Sequence, residues 1–243
     1  MDRNINAIFM DLGDTFRIIH KDEAYSNAAK RRIAELLGVT DDPIRFFKEV
    51  IEPRYDIYRE WVLKWYCEAP EKVLWTRWLA YDFPKERVEA AAVELTYEYR
   101  KSKGERVVTD GGVETIQELY RRGYTLGIIS DLVGTVEVDE WLDHDGLRPY
   151  FKTVQQSSVT MIRKPHPAIY YHALEEAGVE AAQSCYVGDN LNRDIVGAKA
   201  TGFGLTVGVQ YPGKKHQEVT AENRPDVFIT HFSQLLDLFP PLK

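Results

Sequence analysis

Cysteine is scarce in this chain of 243 residues, which has two, Cys67 and Cys185, far apart in the sequence. Two such residues build neither a disulfide framework nor a cysteine metal site, and they favour a reducing cytoplasm. Long apolar runs are missing too, since no stretch approaches the roughly 18 residues that a membrane span requires. Acidic residues beside the short N-terminal apolar run argue against a signal peptide. These absences predict a soluble cytoplasmic protein with no membrane partner.

Positive charge is in deficit, because 31 lysines and arginines stand against 38 acidic residues, a formal net charge of −7. This balance argues against general nucleic-acid binding. The sequence has no G-x-x-x-x-G-K-[ST] loop and no G-x-G-x-x-G after a strand, which argues against an ATP-driven kinase or a dehydrogenase. An acidic protein that handles phosphate esters needs a local cation, and a bound metal is the simplest source of one.

The strand signals are short and regularly placed. Residues 5–10 (INAIFM) form an apolar run that ends at Asp11 and predicts a buried strand. Similar runs, separated by helical patterns, occupy residues 125–130, 153–157, 185–188, 204–209 and 227–230. Alternation of strands and helices predicts an α/β fold with a doubly wound parallel sheet.

A different pattern separates the first strand from the others. Apolar side chains recur at helical spacing over residues 25–37 and 88–99. We therefore predict an all-helical segment, residues 17–105, inserted after the first strand. The first strand needs neighbours, so residues 1–16 and 106–243 are predicted to form the sheet domain together.

Polar residues lie at or beyond the ends of four predicted strands. Because ligands collect at the carboxyl edge of an open α/β sheet, these residues are expected to converge there. They are Asp11-Leu12-Gly13-Asp14-Thr15, Ser130-Asp131, Arg163-Lys164-Pro165 and the stretch from Gly188-Asp189 to Asp194. Carboxylates bind a hard cation such as Mg²⁺, and lysine and serine bind phosphoryl oxygens.

These motifs, in this order, resemble those of the haloacid dehalogenase superfamily of aspartate-nucleophile hydrolases over most of the chain. The matching patterns are Asp-x-x-x-Thr, a strand that ends in Ser, Lys-Pro-x-Pro and Gly-Asp-x-x-x-x-Asp. The resemblance implies a Rossmann-like core, a helical cap and Mg²⁺ as cofactor. It also implies hydrolysis of a small phosphorylated metabolite through an aspartyl-phosphate. The sequence carries no signal for the oligomeric state.

The resemblance also implies a role for each matching residue. Asp11 is expected to be the nucleophile, and Lys164 is expected to bind phosphate and neutralise the carboxylates. Phosphate is also expected to contact Ser130, Asp131 and Thr15, and Thr15 is expected to help hold the first loop. The expected metal site comprises Asp11, the backbone of Gly13, Asp189 and Asp194.

One position departs from the family pattern. The usual first motif of the phosphatases is Asp-x-Asp-Gly-Thr, whereas Gly13 occupies the third position here and Asp14 follows it. The missing carboxylate is the family's general acid–base, whose loss typically costs about 10²–10⁴-fold in rate. Either Asp14 substitutes as a catalytic residue, or the substrate has a good leaving group, or the protein is a weakened phosphate-ligand sensor.

Two other hydrolases are further alternatives. A dehalogenase also lacks the second aspartate of the first motif, but it does not need magnesium. A phosphonate hydrolase would require a cap lysine over Asp11, and Lys48, Lys64 and Lys72 lie in the helical segment.

Overall fold

The computed structural model describes residues 4–215 and 217–242, so residues 1–3, 216 and 243 of the predicted sheet domain lie outside the described part. The strands, numbered in chain order, are β1 Ala7–Met10, β2 Arg17–His20, β3 Glu105–Val108, β4 Thr125–Ser130, β5 Phe151–Gln156, β6 Ser184–Gly188, β7 Leu205–Val209 and β8 Val227–Ile229. Six of them form a parallel sheet in the order β5-β4-β1-β6-β7-β8. The first strand therefore lies near the middle of the sheet.

The helices, in chain order, are α1 Glu23–Leu37, α2 Pro43–Phe46, α3 Glu52–Trp65, α4 Glu71–Val73, α5 Lys85–Lys101, α6 Gly112–Arg121, α7 Glu137–His144, α8 Ser157–Thr160, α9 Pro167–Ala177, α10 Val196–Thr201 and α11 Leu235–Leu238. Short π-helical turns at Phe47–Ile51, Leu74–Leu79 and Leu191–Ile195 adjoin some of them. In the part of the chain described, no helix combines the length and the apolar character that a membrane crossing requires.

Burial of β1 on both faces accounts for its uninterrupted apolar sequence. Ile8 and Met10 belong to one hydrophobic cluster, which includes residues of α6, and Phe9 belongs to another, which includes residues of α9. All three side chains are fully buried. Helices thus cover both faces of the sheet, as expected for a parallel sheet with crossover helices. The predicted doubly wound α/β fold is confirmed.

The inserted segment differs from the expectation at both ends. It opens with β2, which pairs antiparallel with β3, so a two-stranded ribbon connects the helices to the sheet. The predicted boundary at residues 105 and 106 falls inside β3. Both strands carry adjacent β-branched residues, Ile18-Ile19 and Val107-Val108, which favour extended pairing. The sequence pattern does not predict these strands, because each is only four residues long.

Helices α1, α2, α3 and α5 and the π-helical turns at Phe47–Ile51 and Leu74–Leu79 share a hydrophobic cluster that includes Tyr58 and Trp75. A second connection, besides the ribbon, joins this segment to the sheet. The N–H of Glu68 donates to the carbonyl of Met161 at 3.0 Å, and the N–H of Arg163 donates to the carbonyl of Tyr66 at 2.9 Å. Because Arg163 precedes Lys164, the helical segment is anchored directly beside one of the predicted site residues.

Candidate active site

Asp11 lies at the carboxyl end of β1, near the middle of the sheet. Its backbone N–H donates to the carbonyl of Val187 on β6 at 3.0 Å, which continues the strand pairing by one residue. The residue is 4% exposed, and its Oδ1 atom lies 2.8 Å from Nζ of Lys164. The predicted nucleophile therefore lies at the sheet edge where the topology places a ligand.

Lys164 is the central cation of the site. Its Nζ atom lies 2.8 Å from Asp11 Oδ1 and 2.7 Å from Asp194 Oδ1, and it donates at 3.0 Å to the carbonyl of Ile129 and to the hydroxyl of Tyr186. The side chain is fully buried. Burial alone would lower its pKa, but the two carboxylates outweigh burial and raise the pKa of Lys164 above its usual value. The ammonium group therefore stays charged.

Asp11, Asp189 and Asp194 form a carboxylate cluster, in which one oxygen of each residue lies within 4.8 Å of the others. Burial raises the pKa of Asp189 and Asp194, and the neighbouring negative charges raise both further, against the opposing charge of Lys164 at Asp194. Carboxylate oxygens are ligands that Mg²⁺ prefers, and these three lie close enough together to share one ion. The residues present therefore fit the cofactor that the sequence predicts.

Two local arrangements hold the carboxylate cluster in place. The hydroxyl of Thr15 accepts from the N–H of Asp189 at 3.0 Å and lies 3.3 Å from Asp189 Oδ1. The N–H of Asn190 donates to Asp194 Oδ2 at 3.0 Å, and a Cβ at Gly188 would overlap the Asp194 carboxylate. Thr15, predicted to contact phosphate and to hold the first loop, is instead fully buried in its contact with Asp189 and is not among the described residues that line the cleft.

A cleft of about 280 Å³ lies between the sheet edge and the helical segment. Ser130 and Asp131, at the end of β4, line it beside Asp11. The Asp131 carboxylate accepts from the N–H of Lys164 at 3.0 Å and lies 3.5 Å from a guanidinium nitrogen of Arg193. Asp131 therefore orients the lysine-bearing loop.

Gly13 and Asp14 also line the cleft, but they differ in what surrounds them. No atom lies within 4 Å of the place that a Cβ on Gly13 would occupy, so the position has room for a side chain. Asp14 adopts a left-handed backbone conformation with φ of 52°, and its Oδ1 accepts from Lys214 Nζ at 2.9 Å. Its carboxylate is thus engaged at the outer rim of the site.

The cleft is also lined by residues that no sequence motif indicates. Its lining includes Trp141 and four arginines of the ribbon and the helical segment: Arg17, Arg59, Arg100 and Arg106. An arginine on an amphipathic helix or a short strand has no sequence pattern that separates a cleft position from a solvated one. The tether from Lys214 to Asp14 was equally hidden, because 200 residues separate the two.

Residues 76–207, more than half of the chain, match the family model for haloacid dehalogenase-like hydrolases. The chain is 30% identical over 131 residues to a glyceraldehyde 3-phosphate phosphatase of Methanocaldococcus jannaschii, a match covering 54% of this chain and 56% of that protein. It is 34% identical over 125 residues to a phosphoglycolate phosphatase of Yersinia pseudotuberculosis, covering 50% and 51%. The chain thus matches about half the length of these curated relatives.

Solved structures resemble the chain over nearly its whole length. A 2-haloacid dehalogenase from Pseudomonas syringae pv. Tomato superposes with a TM-score of 0.70 at 23% identity, covering 96% of this chain and 97% of that one. A HAD phosphatase from Thermococcus onnurineus gives a TM-score of 0.60 at 21% identity, covering 98% and 100%. At these identities the likeness concerns the fold. The family match and the shared fold agree, and the chain belongs to the haloacid dehalogenase-like hydrolases.

Proposed function

We propose that the protein is a Mg²⁺-dependent phosphohydrolase that acts on a small phosphorylated metabolite through an aspartyl-phosphate on Asp11. The observation that carries the proposal is the contact of Lys164 with Asp11 and Asp194, beside a third carboxylate on Asp189. The phosphatase names of the curated relatives support the same reaction and the same class of substrate. In this proposal residues 17–105 form the cap over a core of residues 1–16 and 106–243, and the enzyme works in the cytoplasm.

The chemistry proceeds in two displacements at phosphorus. The Asp11 carboxylate attacks the phosphoryl group, the ester P–O bond breaks, and the leaving oxygen takes the electron pair and then a proton from water. Water then attacks the phosphorus of the aspartyl-phosphate, which releases phosphate and regenerates Asp11. Lys164 offsets the negative charge that collects around Asp11 in both steps.

The cofactor and the remaining side chains divide the other tasks. Mg²⁺ held by Asp11, Asp189, Asp194 and the backbone oxygen of Gly13 would offset the charge of the carboxylates and of the phosphoryl oxygens. Ser130 donates to the phosphoryl oxygens, Asp131 orients the loop of Lys164, and Thr15 orients Asp189. With glycine at position 13, protonation of the leaving oxygen is the weak step, so substrates with good leaving groups react best.

Two of the alternative hydrolases receive different support. A phosphonate hydrolase needs a lysine over Asp11, but Lys48, Lys64 and Lys72 are exposed and the described residues that line the cleft include no lysine. A dehalogenase remains a second candidate, because Gly13 fits its first motif. Asp189 and Asp194 together with Asp11 form a cluster that can hold a metal ion. Because a dehalogenase does not need magnesium, this cluster favours the phosphohydrolase.

The test is a screen of purified protein with and without Mg²⁺ against phosphorylated metabolites and aryl phosphates. We expect turnover that requires Mg²⁺ and that Asp11→Asn lowers by about 10⁴-fold or more, as for loss of a nucleophile. Asp237→Asn, a substitution in α11 outside the cleft, is the matched control and should keep full activity. Saturable binding of phosphorylated ligands without turnover would support the sensor instead.

A further inference from the structure

Arginines are concentrated on one side of the cleft. Arg17 and Arg106 come from the ribbon, Arg59 from α3 and Arg100 from α5, and all four line the same cleft as Asp11. We call these four residues the arginine cluster. It faces the cleft from the ribbon and the helical segment, whereas the carboxylate cluster occupies the sheet edge. The cleft therefore has one side for a metal and a phosphoryl group and another side with excess positive charge.

The members of the arginine cluster differ in how their charge is balanced. Arg17 forms an ion pair with Asp145, and Arg100 forms one with Glu137 at 2.6 Å. Arg59 and Arg106 form no ion pair with any carboxylate among residues 4–215 and 217–242. Two of the four guanidinium groups are thus available for an anion that enters the cleft.

Arg106 is the better placed of these two. It is half-buried, and its Nη1 donates to the carbonyl of Arg100 at 2.9 Å. Its own carbonyl accepts from Nη2 of Arg17 at 2.7 Å, so the ribbon fixes its backbone. Burial and the neighbouring charge of Arg100 lower the pKa of Arg106 to about 10, against the opposing effect of the Glu137 and Asp14 carboxylates, which leaves it charged at neutral pH. A half-buried cation that contacts no carboxylate of its own is stabilised when an anion joins it.

The phosphoryl group alone does not account for this cluster. Lys164 and a metal at the carboxylate cluster already balance a phosphoryl group at Asp11, and Ser130 supplies a further donor. An anion on the non-reacting part of the substrate would meet the guanidinium groups instead. Arginine is suited to this task, because its planar fork binds a carboxylate or a phosphate through two parallel hydrogen bonds.

Resting on the proposed function, we propose that the cleft selects phosphate monoesters that carry a second anionic group, a carboxylate or another phosphate. Arg106 contacts that group, and Arg59 assists it from the exposed rim. The two residues are specificity determinants and take no part in the transfer of the phosphoryl group.

The test separates binding from turnover with phosphonates, whose P–C bond the proposed reaction does not break. Calorimetry in Mg²⁺ compares phosphonocarboxylates with one to three methylenes between the two groups against their carboxamides, which match them in shape but lack the second charge. We expect the wild-type protein to prefer the acid by at least about tenfold at one chain length, the scale of a charge-assisted contact. Bisphosphonates of the same chain lengths, in which a second phosphonate replaces the carboxylate, show whether a phosphoryl group binds as well as a carboxylate at this position.

Three variants show which residues cause the preference for the acid over the carboxamide. Arg106→Gln should reduce it to about threefold or less, and Arg59→Gln should reduce it by a smaller factor because that side chain is exposed and its charge is screened. Arg121→Gln, on α6 and outside the cleft, should retain the wild-type preference. Since Arg59 is exposed, its variant gives a result even where Arg106→Gln disturbs the ribbon.

Equal affinity for acid and amide at every chain length, within twofold, would overturn the inference. An equal loss for acid and amide in Arg106→Gln would overturn it too, because Arg106 would then bind the common phosphonate. An unchanged preference in both variants would have the same consequence. Turnover of aryl phosphates without the preference would leave the hydrolase intact and remove this inference, whereas the preference without any turnover would remove the hydrolase alone.

Discussion

The two sides of the cleft over Asp11 differ in how their charges are balanced. At the sheet edge, Lys164 is fully buried and contacts Asp11 and Asp194, so the protein itself supplies much of the counter-charge. On the other side, Arg59 and Arg106 carry charges that no carboxylate of the described chain pairs with. The sheet edge is therefore prepared for a reaction, and the arginine cluster for a ligand. In the proposed reaction, chemistry and selectivity therefore depend on different parts of the fold.

Among the variants considered, removal of the Lys164 charge should have the largest effect on the sheet-edge side of the cleft. Lys164→Met leaves Asp11 and Asp194 buried without their partner, and loss of one member of a buried ion pair typically costs about 3–5 kcal/mol. We expect a drop of this size in the free energy of unfolding, measured by urea denaturation without Mg²⁺. Lys152→Met, an exposed lysine on β5, is the control and should change stability by less than about 0.5 kcal/mol. Equal stability of the two variants would show that the sheet edge does not depend on Lys164.

A carboxylate introduced at position 13 should increase phosphatase activity. Gly13→Asp places a carboxyl group where a Cβ meets no atom within 4 Å, and it should supply the missing proton transfer. We expect turnover of alkyl phosphates to rise by about tenfold, below the full general-acid effect because the placement is imperfect. Aryl phosphates, which leave without a proton, should gain less. Gly13→Asn has the same size but cannot donate in this way, and an equal gain from it would contradict the explanation.

The carboxylate cluster should make stability depend on pH in a definite direction. Burial and neighbouring charge raise the pKa of Asp189 to about 8, so the folded state binds more protons than the unfolded state between about pH 4 and 8. Without Mg²⁺, the melting temperature should therefore fall as the pH rises from 5 to 8. We expect a fall of at least about 2–4 °C, the shift that 1 kcal/mol produces in a chain of this size.

Bound Mg²⁺ should reverse this trend, because the metal favours the ionised carboxylates and stabilises the state that binds it. Asp189→Asn is the matched variant, and it should flatten the pH dependence and lose most of the magnesium-induced shift. A melting temperature that Mg²⁺ raises equally in both proteins would place the metal elsewhere.

Substitution of Asp14 should have the smallest effect on activity. Its carboxylate is half exposed and accepts from Lys214, so Asp14→Ala should change the turnover of alkyl phosphates by less than about threefold. A loss of about 100-fold confined to alkyl phosphates would show instead that Asp14 supplies the acid–base. Comparison of kcat for alkyl and aryl phosphates in the two proteins distinguishes the outcomes.

The sheet edge was the part of the molecule that sequence could predict. A parallel sheet brings the ends of its strands to one edge whatever the details of packing, so Asp11, Ser130 and Asp189 could be placed together from their positions after apolar runs. Lys164 follows no strand directly, and its place came from the Lys-Pro-x-Pro motif. The roles assigned to these residues stay predictions.

The arginine cluster and the ribbon could not be predicted from the sequence. Arg59 and Arg106 line one cleft, and the helical segment that carries Arg59 is anchored by the ribbon and by Glu68, whose carboxylate pairs with Arg163. These contacts join residues far apart in the chain, and no local periodicity records them. Strands of four residues such as β2 also fall below the length at which alternation is recognisable.

The most direct test of the central claim is to trap the phosphorylated enzyme. A ³²P-labelled aryl phosphate is mixed with the protein and Mg²⁺, the reaction is quenched in acid within the first turnover, and borohydride reduction marks any aspartyl-phosphate. We expect one labelled peptide whose modified residue is Asp11, with formation of the label abolished by chelation of Mg²⁺. Release of phosphate with no label on Asp11, or with the label on another residue, would contradict the account.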